Sequence, residues 1–273
     1  ALTLVRDELD FINLNANPLA FNHSSREFSS VSLESVSFSF LSSKNVINDV
    51  SFEIDKNQMI SIVGPSGSGK STIAEIITGV LEPTNGILRV GGKALNDTER
   101  VAWQRQIGYV TQEAQIYRTS IRDNITLASL KGEIEDTEWL LNCIDLCSLD
   151  DFISGLDQGL DHVLSDRGSN ISGGQKQRIM LAREIYKKPT LLILDEATSA
   201  LDSETELIIK DSLEKLRSKM AIFCIAHRLS TVRDSNEILF LLNGKIIERG
   251  TFRDLVKKED SKFFKFSQNQ TLS

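Results

Sequence analysis

The sequence has no run approaching the roughly 18 consecutive apolar residues that a membrane-crossing helix needs, and it opens without a signal-peptide pattern. Any membrane-embedded component is therefore expected outside these 273 residues. A basic excess is also missing. Lys and Arg number 31 against 38 Asp and Glu, a net charge of −7. Nucleic acid is thus disfavoured as the main partner, because phosphate binding usually shows as a surplus of cations. Cysteine is scarce, with only Cys143, Cys147 and Cys224. The first two are four apart in a helical-looking stretch, but no nearby His or Cys pair completes a metal site. They read as small buried residues of a reducing compartment.

What is present is ordinary for a globular chain: 40% apolar and 25% charged residues, enough for one large domain or two small ones. Residues 1–28 do not look like core. Positions 1–14 carry the pattern of an amphipathic helix, and 15–30 are rich in Asn and Ser, as in a linker. Order begins near Val31. Val31 and Leu33, then Val36, Phe38 and Phe40, then Val50, Phe52 and Ile54 alternate with polar residues. With a Gly91-Gly92 turn after the run 87–90, they predict a small antiparallel β unit. Residues 59–63 form a short apolar strand, followed by a glycine loop and by Ile73, Ile76, Ile77 and Val80 at helical spacing. Strand, glycine loop and helix open an α/β unit. Residues 113–187 read mostly as helices and loops. Continuous apolar strands return at 191–194 and 222–225, as in a parallel sheet buried on both faces. Residues 237–248 read as a hairpin turning at Asn243-Gly244. The charged stretch after Thr251 reads as a helix that then frays.

The strongest local motif spans residues 64–71: Gly64, Pro65, Ser66, Gly67, Ser68, Gly69, Lys70 and Ser71, with Thr72 next. It fits G-x-x-x-x-G-K-[ST] between the required strand and helix. Glycines let successive N–H groups point at phosphates, and the helix N-terminus adds positive partial charge. Lys70 is expected to reach the β- and γ-phosphates and Ser71 to ligate Mg²⁺. Alone, the motif says only that a nucleotide binds. Asp195 and Glu196 close the apolar strand, at the end where α/β sheets hold ligands. Asp195 is expected to support the Mg²⁺ shell, and Glu196 to polarise the attacking water.

Residues 171–175, Ile171, Ser172, Gly173, Gly174 and Gln175, resemble the LSGGQ signature of ATP-binding-cassette (ABC) ATPases. Read by itself, the stretch is a helix start carrying Ser and glycines, closed at Lys187, Lys188 and Pro189. The resemblance covers residues 31–256 and implies more. It implies a mainly parallel P-loop NTPase sheet flanked by helices, with an antiparallel β subdomain and an inserted helical subdomain near 113–187. It makes residues 29–260 the ATPase, 1–28 a connection to a preceding membrane domain, and 261–273 a tail. Ser172, Gly173, Gly174 and Gln175 would meet the γ-phosphate held by a partner's P-loop, so that two nucleotide-binding domains sandwich two ATP molecules. Gln112 matches the Q-loop glutamine near Mg²⁺ and water, the 199–202 segment the D-loop, His227 the switch histidine, and Phe40 the aromatic residue that stacks on adenine. The implied cofactors are ATP and Mg²⁺. The implied partners are a second nucleotide-binding domain and a transmembrane domain, at the cytoplasmic face of a membrane.

Three positions depart from the family pattern: Ile171 where leucine is usual, Phe40 where tyrosine is usual, and Thr111 where proline is frequent. Residues 165–168 resemble the x-loop of export-type members, and 121–125 point the same way. Tyr117 is expected to line the groove that takes coupling helices. Three rivals stand against a transport ATPase: a soluble ABC protein, a P-loop kinase and a non-hydrolysing regulatory module. The signature and D-loop have no task in a kinase, and neither a second cassette nor a coiled-coil insertion is visible.

Overall fold

A computed structural model describes residues 29–40, 45–127, 134–195, 203–226, 229–258 and 260–271. Elements are numbered in chain order. The strands β1 (Ser30–Phe38), β2 (Ile47–Asp55), β4 (Asn85–Val90) and β5 (Lys93–Ala94) form an antiparallel sheet in the order β2-β1-β4-β5. In β1 the inward set changes phase, from Val31 and Leu33 to Val36 and Phe38. The register against β2 shifts between Leu33 and Val36, and Ser35 takes φ 48° there. The bulge lets both halves of the strand bury their apolar residues.

The second sheet holds β3 (Met59–Val63), β6 (Ile107–Val110), β7 (Leu191–Asp195), β8 (Ala221–Ile225), β9 (Glu237–Leu242) and β10 (Lys245–Gly250) in the order β10-β9-β3-β8-β7-β6. All neighbours are parallel except β10, which folds back on β9. That reversal occurs at Asn243 and Gly244, with φ 50° and 74°, as a two-residue turn of this hand needs. Alternate residues feed two separate cores. Ile60, Ile62, Ile193, Phe223 and Leu241 face the antiparallel sheet. Met59, Val63, Leu194, Cys224 and Phe240 face the helical part of the chain. Period-2 alternation thus puts apolar groups on both faces, which is why the strands read as continuous apolar runs.

Helix α1 (Lys70–Ile77) follows β3 and buries Ile73, Ala74, Ile76 and Ile77. Val80 does not continue that face. The helix gives way at Gly79 (φ 72°), where chain reversal satisfies the last carbonyls, and Val80 is 64% exposed. Helix α2 (Asp97–Gln104) starts at Asn96, whose side chain accepts the Glu99 N–H. It places buried Trp103 so that Nε1 donates to the Ile77 carbonyl at 2.8 Å, fastening α2 to the end of α1.

Helices α3 (Ile121–Thr126), α4 (Thr137–Leu146), α5 (Asp150–Ser154) and α6 (Gly173–Tyr186) make up the helical subdomain, with short 3₁₀ turns at Gly159–Asp161 and Asp166–Gly168. Cys143 and Cys147 are buried and free, packed in its core. Beyond it lie α7 (Ser203–Arg217), α8 (Leu229–Val232), α9 (Phe252–Val256) and α10 (Lys262–Thr271). The stretch after Thr251 is helical, as its sequence reads, and α10 is anchored at its start. Phe263 is fully buried and meets Phe240 and Phe252 edge to face, both at 6.1 Å. The Glu248 carboxylate accepts the Lys262 and Phe263 N–H groups at 2.7 and 3.0 Å, capping α10. Among the described residues no helix is long and apolar enough to cross a membrane.

Two measurements follow. Trp103→Phe leaves a buried carbonyl without its donor and should cost about 1–3 kcal/mol of stability, read from the urea midpoint; an unchanged midpoint contradicts the fastening. Burial pushes the Cys143 and Cys224 thiols up to about 12, and Cys147 well up. Thiols titrate near 8.5 in an unfolded chain, so the unfolded chain releases these protons first, and this contribution to stability is lost as pH rises from there towards 12. At pH 8 all three thiols should resist a disulfide reagent natively and react in urea; rapid reaction of the native protein contradicts the burial.

Candidate functional site

The sheet's parallel strands all end at one edge, and the candidate residues gather there. β3 runs into the 64–71 loop, β7 ends at Asp195, and β6 ends two residues before Gln112. Only β8 separates β3 from β7. Their ends are therefore about two strand spacings apart, roughly 10 Å. That is the reach of a triphosphate. Carboxyl ends of parallel strands are where α/β folds bind ligands.

The loop itself is built for close approach. A Cβ on Gly64 would sit 2.1 Å from the Leu241 carbonyl oxygen, so only glycine lets the chain leave β3 this tightly against β9. Around Gly67 the space is open, and Pro65, Ser66 and Gly67 are exposed at the rim. Lys70 is 6% exposed, and its amine folds over the loop to donate to the Gly64 and Pro65 carbonyls at 3.0 and 3.1 Å. The Ser68 hydroxyl is buried without a hydrogen-bond partner. Such an orphan costs free energy and fits a cradle that completes its bonding with an anion. Ser71 is exposed and Thr72 half-buried on the first turn of α1, whose N-terminal N–H groups have no helix partners.

Asp195 is half-buried and accepts a hydrogen bond from the Tyr109 hydroxyl at 3.0 Å, Oη to Oδ2. Burial first, and the Asp195 carboxylate second, push the phenol far above its ordinary value, so it remains a protonated donor. Ser71 and Asp195 offer hard oxygen donors of the kind Mg²⁺ takes. Among the described residues no cluster of three or more His, Cys, Asp or Glu side chains forms a protein-only metal cage. A single carboxylate and a hydroxyl suit an ion whose other ligands are phosphate oxygens and water. Gln112 is exposed just past β6, and its carbonyl accepts the Gln177 side-chain N–H at 2.7 Å.

The signature-like stretch lies on the surface. Ser172 caps α6 in a reciprocal box: its hydroxyl accepts the Gln175 N–H at 3.2 Å, and Gln175 Oε1 accepts the Ser172 N–H at 2.8 Å. Gln175 therefore spends its side-chain oxygen on the helix. Ser172 keeps its hydroxyl proton, and with exposed Gly173 it faces solvent, while Gly174 is buried. Phe40 is 49% exposed beyond the end of β1, with Phe38 edge-on at 4.8 Å, so it is not a core residue. Tyr117 is exposed as well, under the Arg183 guanidinium at 4.9 Å. Arg183, on α6, is buried and donates to the Asn124 and Gln115 carbonyls at 2.6 and 2.8 Å, tying that helix to the segment after Gln112. Glu196, the 199–202 segment and His227 lie outside the described residues.

Sequence reasoning did not find the bond from Tyr109 to Asp195, or the role of Arg183. The only signal for Tyr109 was one hydroxyl in an otherwise apolar strand; its partner follows from strand order.

The sequence model of the ABC transporter family matches residues 47–199. Multidrug resistance protein 4 of Entamoeba histolytica is 39% identical over 229 residues, 83% of this chain and 17% of that protein. The beta-(1-->2)glucan export ATP-binding/permease protein NdvA of Bartonella bacilliformis is 38% identical over 230 residues, 84% of this chain and 38% of its own. Among solved structures, a bacterial Atm1-family ABC exporter with ATP bound superposes with TM-score 0.79 at 32% identity, covering 89% of this chain and 42% of that one. The chain thus spans less than half the length of each of these relatives. It carries an ABC-type ATP-binding domain, and it belongs to the ABC transporter family.

Proposed function

We propose that the chain is the ATP-hydrolysing domain of an ABC exporter and powers movement of a substrate through a membrane domain, from that membrane's cytoplasmic face. The observation that carries this reading is the gathering of the 64–71 cradle, Asp195 and Gln112 on one sheet edge, while the Ser172 helix tip stands exposed. A phosphate-binding edge and an outward-facing anion-binding tip on the same chain are complementary halves. Two copies, or this chain and a homologous partner, would close each site from across.

In this scheme the adenine stacks on Phe40. The N–H groups of residues 64–71, with Thr72, bind the phosphates, and Ser68 gains the partner it lacks. Lys70 exchanges its carbonyl contacts for phosphate oxygens. Ser71, Asp195 and Gln112 would hold Mg²⁺, which neutralises charge on the phosphoryl group when bound. Ser172 donates its remaining hydroxyl proton, and Gly173 and Gly174 their N–H groups, to the γ-phosphate held by the partner; Gln175 fixes the tip. Glu196 orients the attacking water and His227 steadies charge at the γ-phosphate. Positioning and charge neutralisation are what phosphoryl transfer requires. Residues 29–260 carry this machinery, with the helical subdomain near 113–187, and residues 1–28 lead from a membrane domain. Tyr117 sits in the groove that receives that domain's coupling helices, and Arg183 passes its movement to α6.

Lys70→Ala removes charge-assisted hydrogen bonds worth about 1.5–3 kcal/mol, so ATP affinity should fall roughly tenfold or more and turnover should stop. Titration with a fluorescent ATP analogue and a phosphate-release assay check this; unchanged turnover contradicts the site. Glu196→Gln should bind ATP, release no phosphate and elute as a dimer on size exclusion; an ATP-loaded form that stays monomeric contradicts closure by a second copy.

A further inference from the structure

We infer that Tyr109 is a positioning residue for the Mg²⁺ carboxylate: its hydroxyl holds one oxygen of Asp195, so that the other is presented to the metal's ligand shell in a fixed orientation. The inference rests on the proposed ATPase reading of this edge. It names a residue that contacts neither nucleotide nor metal in that reading.

Three features of the fold make the contact specific. First, β6 pairs with β7 in parallel with Tyr109 opposite Ile193, two residues behind Asp195. Residues two apart on a strand share a face, so the phenol projects on the Asp195 side and its length spans the offset. Second, the ring is pinned. The half-buried ring packs against the core that contains Ile73 and Ile77 of α1, which restricts its movement. Third, the backbone is fastened from the opposite direction. β6 is the edge of the sheet, and the Tyr109 N–H that points outward is taken by the buried Glu184 carboxylate at 3.1 Å. Gly108 permits this approach, since a Cβ there would lie only 3.3 Å from Glu184 Cβ. Glu184 is itself held by Lys187 at 2.6 Å. Tyr109 thus joins α6, the helix that carries Ser172 at its start, to the carboxylate that ends β7.

A carboxylate accepting a hydrogen bond from a pinned donor loses rotational freedom before metal arrives. Partners behind a metal ligand typically change metal affinity by about 10- to 100-fold when removed. The Phe substitution keeps the ring and its packing and deletes only the donor.

The test compares Tyr109→Phe, Asp195→Asn and wild type in the full chain. Binding of a fluorescent ATP analogue is titrated in EDTA and then against Mg²⁺. In EDTA Tyr109→Phe should bind as wild type does. The Mg²⁺ concentration giving half of the metal-dependent tightening should rise about tenfold or more, and turnover at saturating Mg²⁺ should recover. An unchanged Mg²⁺ midpoint in Tyr109→Phe, with Asp195→Asn shifted, overturns the positioning role and leaves the ATPase reading intact. Equal loss of binding in EDTA overturns it too, because the residue would then be structural. An unchanged midpoint in Asp195→Asn overturns both this inference and the assignment of Asp195.

Discussion

The parallel register of β3, β8, β7 and β6 is the constraint on which the rest depends. Parallel strands must end together, and each end carries a different chemical part: the glycine loop after β3, Asp195 at the tip of β7, Gln112 after β6. No helix needs to fold over to assemble them. A slip of one residue would turn Ser61 into the core that Ile60 and Ile62 fill and break its buried hydroxyl contact with Ser235 at 2.6 Å. The two cores lock the phosphate edge from above and below. Trp103 extends this locking to α2, and Phe263 extends it to α10 near the C-terminus.

The same architecture explains why the proposed site is divided. The cradle lies at the strand ends, whereas Ser172 opens a helix of the inserted subdomain and faces outward. A capping box fixes the tip without consuming the hydroxyl proton. The buried Arg183 clamps the body of that helix to the 115–124 segment, beside exposed Tyr117. Its guanidinium rests on carbonyl dipoles, and burial lowers its pKa. A displaced groove and a displaced helix tip are therefore one mechanical event in the proposed scheme.

Much of this was legible in the sequence because it is local. The 59–63 strand, the glycine loop, the Ser172 cap, the strand ending in Asp195 and the Asn243-Gly244 turn each carry their signal within a few residues, and the structure has them where that signal lies. Val80 misled because helical spacing continues through it, while left-handed Gly79 has already ended the helix. The phase change in β1 needed a bulge at Ser35 that alternation alone does not announce. Charge around α10 hid Phe263, whose partners Phe240 and Phe252 are distant in sequence or across a turn. The bond from Tyr109 to Asp195 was out of reach for the same reason: it exists only once β6 is known to lie beside β7.

The central claim is that one copy's cradle and another copy's Ser172 tip share a single triphosphate. Mixing two inactive chains tests it most directly, one carrying Lys70→Ala and the other Ser172→Arg. Each alone lacks half of every site, but a mixed pair holds one site with both halves sound. The account predicts that ATP hydrolysis, absent from either chain alone, returns on mixing. Continued silence of the mixture, with both chains folded and pairing, would contradict it.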